Sequence, residues 1–324
     1  MKATSSAVHS TEQPPEGPTE LHTRSWWGVL KRTGKEFGDD KLTDWAAALT
    51  YYATLSLFPA LLAVVSLLGV FGQSATRPLL ESLGPMTPGP AKQILQQVLL
   101  ALEQSQRAAG VALVISLAVA LWSASGYVAA FIRVTNVVYE MPEGRPIWKT
   151  LPLRLGITAV LVVLMAVGIV SVVFTGNIAR QAGEFLGIGQ TALTVWGIAK
   201  WPLLVAVVII VLALLYWAAP NVRQPGFRWV TPGSALAVIL WIVVSAAFGF
   251  YVANFASYGA TYAAMGGVIV FLIWLWLSNI AVLLGVEFDA ELARERAIDA
   301  GQPPEKEPYL EPRDTRKMDE DEKP

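Results

Sequence analysis

Apolar residues in this chain fall in long unbroken runs, not in the three-or-four-residue stripe of a helix that keeps one face in water. A bilayer's hydrocarbon core is about 30 Å thick, so a helix rising about 1.5 Å per residue needs about 20 apolar residues to cross it. Six runs meet that length, at about 45–71, 111–134, 155–174, 202–219, 233–252 and 266–286, and none carries a charge near its middle. The pattern predicts an all-α integral membrane protein, a bundle of six transmembrane helices. Two further segments are amphipathic. Over 26–37, Trp27, Leu30 and Phe37 share a helical face with Lys31, Arg32 and Lys35 off it. Over 94–104, Ile94, Leu95, Val98, Leu99 and Leu102 form a stripe with glutamines beside it. Each is expected to lie in a membrane interface or to pack against the bundle.

Composition strengthens this picture. The chain is 54% hydrophobic and 15% charged, where a soluble domain carries about a quarter charged residues. The charge collects in two tails. Residues 1–24 read as a disordered polar leader without the layout of a secretory signal, 25–292 as the membrane domain, and 293–324 as a charged, largely disordered tail. Helix is expected to run on from Asp289 to Ala300 before that tail turns proline-rich. Of the 24 Lys and Arg residues, 19 fall on the side that holds both tails and five on the other. Positive charge is retained in the cytoplasm, so both termini are expected there. The net charge of −1 offers nucleic acid no general attraction. Cysteine is absent and the only histidines, His9 and His22, stand in the leader. Thiol chemistry is thereby excluded, and no cofactor or metal site is expected.

Polar groups at membrane depth are costly unless paired or facing a wet cavity, so their positions carry the functional information. Ser56 precedes Pro59 in the first run. Proline there removes a backbone hydrogen bond, making either a static kink satisfied by a neighbour or a gate beside a cavity. Ser123 lies in a small, hydroxylated patch of the second run that suits close helix packing or a polar path. Asn279 in the last run needs several partners. At the cytoplasmic ends, Arg133 with nearby Asn136 has the chemistry to fork a lipid phosphate, or to snorkel, or to pair with Glu287. Between the last two runs, Asn254, Tyr258 and Tyr262 would share one face of a continued helix, as an aromatic belt or as a hydrogen-bonding lip.

Several of these segments carry a resemblance. They are 47–59 with Tyr51, Tyr52, Ser56 and Pro59; 121–125 with Trp122 and Ser123; Pro220-Asn221; Pro232-Gly233; and 251–262 running on to Gly285-Val286-Glu287. In this order they resemble the YihY/BrkB (YhjD-like) family of bacterial inner-membrane proteins, an envelope-integrity family formerly labelled ribonuclease BN. The resemblance runs from about Trp26 to Leu292. Ala260 and Ala263 stand where the family often has a basic residue and a glycine. It implies a six-helix bundle and a role in the envelope, not an established reaction.

The reading that follows is a protein that is not an enzyme and that transports or handles a lipid or other amphiphile. The alternative is a non-transporting scaffold of envelope assembly. Membrane lipids are the expected partners, with other envelope proteins or a second copy of the chain as further candidates. A ribonuclease would want a metal pair or a histidine base, which this sequence does not supply in its membrane domain.

Overall fold

The computed structural model describes residues 23–71, 106–173, 189–224, 229–255, 260–304 and 306–322. They form seven long helices: α1 Thr23–Asp39, α2 Leu42–Phe71, α3 Gln106–Val138, α4 Ile147–Val173, α5 Gln190–Ala218, α6 Pro232–Phe255 and α7 Ala260–Asp299. Among the described residues, five helices are long and apolar enough to cross a membrane: α3, α4, α5, α6 and α7. The α2 helix is 30 residues long, with Pro59 inside it. The predicted stripe at 94–102 lies outside the described residues, as does the leader up to residue 22. The fourth predicted run, 202–219, is part of a longer helix. Lys200 and Pro202 do not end α5, which begins at Gln190, and the Lys200 ammonium rests over the Trp201 ring at 5.4 Å.

Consecutive helices alternate in direction, so α2, α4 and α6 begin, and α3, α5 and α7 end, at one end of the bundle, here called proximal. The core is concentrated there. Leu42, Leu49, Val128, Phe131, Val134, Leu212, Leu215, Leu283 and Val286 interlock as one buried cluster. Phe131 stacks on both Tyr127 and Tyr216. Further along the helices, apolar side chains point outward: Val163 and Met165 of α4, Ile239 and Val243 of α6, and Val268 and Ile269 of α7 are all exposed. Only 6% of the α6 span and 11% of the α4 span are buried. In water such surfaces would drive aggregation; in lipid they are the solvated face.

Local signals fix the proximal ends. The α3 helix stops in a paired C-terminal motif. The Met141 amide donates to the Asn136 carbonyl at 2.9 Å and the Glu140 amide to the Val137 carbonyl at 2.8 Å, with Glu140 left-handed at φ 49°. The α6 helix opens with a reciprocal cap: the Thr231 amide donates to Ser234 Oγ and the Ser234 amide to Thr231 Oγ1. Pro232 follows at the first helical position, where its missing N–H costs nothing. The α6 and α7 helices cross with backbones touching at Gly233 and Gly285. A Cβ on Gly285 would overlap the Tyr216 hydroxyl and the Gly233 carbonyl, so the crossing needs glycine at both positions.

The α1 helix packs along the proximal end of α7. Trp26 and Val29 sit against Phe288 and Leu292, and the Arg32 guanidinium bridges Glu291 at 2.6 Å and Glu295 at 2.5 Å. Trp27 and Leu30 remain exposed.

The C-terminal segment differs from expectation. Its composition predicts disorder, yet residues 306–322 fold back across the α3–α4 and α5–α6 loops as a strap. Val222 and Pro312 form an isolated antiparallel bridge. The Arg223 amide donates to the Glu311 carbonyl at 2.7 Å, and the Lys317 amide to the Gly144 carbonyl at 3.0 Å. The Arg313 guanidinium donates to the Val222 and Trp217 carbonyls and lies over the Trp217 ring at 5.0 Å. Met318 is buried with Met141 and Val222. Composition misleads here because the segment's charges are spent on specific backbone and side-chain partners, not on water.

Candidate functional site

Pro59 has no N–H, so the carbonyl four residues back, on Leu55, loses its helical donor. Ser123 of α3 supplies one: its hydroxyl donates to the Leu55 carbonyl at 3.3 Å. Ser56 turns its own hydroxyl to the Ala53 carbonyl. The proline turn of α2 is thus tied to α3 by side chains that the sequence singled out separately. One turn nearer the proximal end, Gly126 leaves room for the Tyr52 ring, which a Cβ would meet at 3.0 Å. Tyr52 packs edge-on against Tyr51, which is exposed.

Arg154 of α4 reaches into this corner. Its Nε and Nη2 donate to Ser125 Oγ at 2.9 and 2.5 Å, and its guanidinium lies 5.2 Å from the Trp122 ring centroid. Ser125 stands 13 residues before the end of α3, about 20 Å along the helix axis. A cation is therefore held well inside a spanning helix pair by a neutral hydroxyl and an aromatic face. Arg133 is within electrostatic reach of it and is exposed. Among the described residues no carboxylate forms an ion pair with Arg133 or Arg154, Glu287 included. Arg154 thus contacts Ser125 and Trp122 of α3, Tyr52 of α2 packs at Gly126 beside them, and Arg133 lies about two turns further along α3.

The other sequence-predicted residues go elsewhere. Asn279 is buried and bridges three helices, accepting from the Tyr127 hydroxyl at 2.9 Å and donating to Thr50 Oγ1 at 3.0 Å. Asn136 is buried in a proximal knot. Its Oδ1 accepts from the Asn221 amide at 2.8 Å and its Nδ2 donates to Glu143 at 3.0 Å. Glu143 in turn holds Arg145, whose Nη2 donates to the Ala219 carbonyl. Glu287 is buried, and its Oε2 has no hydrogen-bond partner among the described residues. Asn254 and Tyr262 fall in α6 and α7, but their side chains, and Tyr258 altogether, lie outside the described residues. Sequence reasoning did not select Arg154, Asn221 or Arg145 as site residues. An arginine seven residues into a spanning helix was the available signal for the first.

Outside the spans, charge is unevenly balanced at the proximal face. Burial and the carboxylates of Glu36, Asp39 and Glu291 push Asp40 up to about 6. Burial, helped by a hydrogen bond with Glu307, pushes Glu140 up to about 8. Asp314 is held well below the usual carboxylate range by hydrogen bonds from Lys149 and the Arg316 amide.

Long apolar helices with outward-facing aliphatic surfaces and a polar, strapped end define a multi-pass α-helical membrane protein. A family profile described as Virulence factor BrkB matches residues 33–309, and the chain belongs to that family. It is 33% identical over 264 residues to the putative ribonuclease-like protein YfkH of Bacillus subtilis, covering 82% of this chain and 93% of the relative. It is 30% identical over 286 residues to a UPF0761 membrane protein of Alkalilimnicola ehrlichii, and 28% identical over 270 residues to one of Xanthomonas campestris. These matches cover 83% and 81% of this chain, which spans 60% of the length of each relative. No solved structure matches the chain.

Proposed function

We propose that this chain is a six-span protein of the bacterial cytoplasmic membrane, with both termini in the cytoplasm, that holds the anionic headgroup of a lipid or other amphiphile during its transport or handling. The observation that carries this reading is the pair of guanidinium groups, Arg133 and Arg154, at the α3–α4 corner, with which no described carboxylate forms an ion pair. A cation at membrane depth is costly and ordinarily has a counter-charge. A phosphate-bearing amphiphile supplies one that is already in the membrane. Arg154 presents a planar fork suited to such an oxyanion, and Arg133, exposed and nearer the proximal end of α3, adds a second guanidinium. The apolar surface beside it suits acyl chains. The sixth span in this reading is α2, and the skew of Lys and Arg supports the orientation.

The test is transfer of a headgroup-labelled anionic phospholipid in proteoliposomes, with a zwitterionic lipid as comparison. Arg154→Gln and Arg133→Gln are each expected to lower anionic transfer at least tenfold while Arg154→Lys keeps part of it. Wild-type transfer in both glutamine variants, with unfolding midpoints unchanged, would sink the proposal.

A second reading, a scaffold of envelope assembly, is favoured by how completely Asn279, Asn136 and Ser123 are satisfied within the bundle. It predicts no lipid transfer by the wild type at all. A nuclease is not proposed: both histidines precede the described residues, and no cluster of three potential metal ligands occurs among those described.

A further inference from the structure

The C-terminal strap also meets the bundle at the end of α3, and there the contact joins two acids. Glu140 occupies the left-handed position that closes α3, at φ 49°, where glycine or asparagine is the usual choice. It also stands at the negative end of the α3 dipole, which disfavours a carboxylate. Neither the backbone conformation nor the helix electrostatics selects glutamate there. What Glu140 gains is a hydrogen bond with the carboxyl group of Glu307 in the strap.

A carboxylate only accepts hydrogen bonds, so two of them can be joined in this way only if one carries a proton. The surrounding groups show which one. Arg294 of α7 lies 3.6 Å from Glu307 and over the Tyr309 ring at 4.7 Å. The Tyr309 hydroxyl donates to the Pro304 carbonyl and lies 3.5 Å from Glu307 Oε1. Glu307 thus has a cation and a hydroxyl beside it. Among the described residues no ion pair includes Glu140. Besides Glu307 it faces two more acids, Asp40 of the α1–α2 turn and Glu287 of α7. The cation in its reach is Arg294, which is already shared among Glu36, Glu291 and Glu307. The proton therefore sits on Glu140. A cleft of about 20 Å³ lined by Glu140, Glu291, Arg294 and Tyr309 has room for one water, so that proton exchanges with solvent.

We propose that Glu140 and Glu307 form a proton-operated latch, which holds the strap docked while the pair shares one proton and loosens it when that proton leaves. Loss of the proton turns a hydrogen bond into a repulsion between like charges in contact. The docked value of Glu140, about 8, lies above the ordinary carboxyl value of 4.5. The docked state therefore takes up the proton first. Docking is strongest in acid and weakens as pH rises between those two values, by up to tenfold per pH unit. The latch governs access to the proximal loops, because Arg313 of the strap covers the Val222 and Trp217 carbonyls. Neither Arg133 nor Arg154 takes part, so the inference does not rest on the proposed function.

The experiment is hydrogen–deuterium exchange, read by mass spectrometry on residues 306–322 of the full-length protein in nanodiscs. Each rate is divided by that of the unstructured peptide at the same pH, which leaves the docking equilibrium. Wild-type protection is expected to fall at least tenfold from about pH 6 to about pH 8, while protection over 283–292 of α7 holds. Glu140→Gln and Glu307→Gln each put a permanent N–H donor in the proton's place. Both are expected to flatten the dependence to less than twofold with the strap still docked, and having one variant on each side of the contact keeps the test valid if the other misfolds. Asp40 also titrates near this window, at about 6, and Asp40→Asn is expected to keep the wild-type slope. The inference is overturned if wild-type protection does not change with pH, if a folded glutamine variant follows pH as wild type does, or if Asp40→Asn alone abolishes the slope.

Discussion

Asn221→Ala is expected to release the C-terminal strap without unfolding the bundle. The Asn221 side chain is fully buried. Its Nδ2 donates to the Pro142 carbonyl at 3.1 Å and to the Asp314 carbonyl at 3.0 Å, while its Oδ1 accepts from the Asp314 amide at 3.2 Å. Alanine removes all three contacts. Two of them join Asn221 to the strap, so at about 1 kcal/mol net for each the docked strap loses about 2 kcal/mol relative to the undocked one; the Pro142 contact is lost in both states. Each 1.4 kcal/mol is a factor of ten, so the undocked fraction rises about 30-fold. The Asn221 amide still donates to Asn136, so the α3–α5 junction is retained. Trypsin reads the difference directly, because the strap carries Arg313, Arg316 and Lys317. When docking and undocking are fast relative to cleavage, the rate of cutting follows the undocked population. Mass spectrometry of a digestion time course should show cleavage after these residues accelerated on the order of 30-fold. An increase below about threefold would refute the assignment of strap energy to Asn221. An equal increase at Lys149 and Arg154 would show that the whole proximal end had opened, which refutes it too.

Three further outcomes follow from the same geometry. Ser123→Ala should cost about 1 kcal/mol by leaving the Leu55 carbonyl without a donor. The loss should shrink in a Pro59→Ala background, where the substituted residue's backbone N–H restores the helical bond; equal losses in both backgrounds contradict the pairing. Asn279→Leu should lower stability by about 2 kcal/mol, since the Tyr127 hydroxyl is left buried and unpaired, and adding Tyr127→Phe should recover part of this in a double-mutant cycle; strict additivity contradicts it. Asp40 has a folded value of about 6, above its ordinary one, so the folded state takes up the proton first and the penalty of ionisation appears as pH rises through about 4 to 6. Asp40→Asn should therefore raise the unfolding midpoint at neutral pH and leave it nearly unchanged near pH 4, as followed by thermal unfolding in detergent.

The spanning helices were legible because lipid-facing segments need apolar residues on every side, and no other constraint produces such runs. Boundaries were less so: α5 continues through Lys200 and Pro202, since a cation resting on an aromatic ring and a proline inside a membrane-spanning helix are both tolerated. Pro59 and Ser123 could each be picked out alone, but their partnership could not, because the orphaned carbonyl is a local inference and its donor lies 68 residues away. Arg154 looks like one more cytoplasmic charge in the sequence; its inward reach to Ser125 is a tertiary fact. The strap escapes a reading by composition because its polar residues match those of a disordered tail, and only Asn221 and Gly144 on distant loops reveal what they bind.

Packing gathered at one end of the bundle also sets its mechanics. Among the described residues, helices clamped near their proximal turns act as levers whose arms extend about 30 Å for every 20 residues. A tilt of about 5° at the clamp then moves the far tip by about 2.6 Å over such an arm. The touching glycines of α6 and α7 are the closest point of their crossing, with the Tyr216 hydroxyl and the Asp289 carboxylate packed around it. Thickness and lateral pressure of the surrounding bilayer thus become direct inputs to the spacing of the far tips.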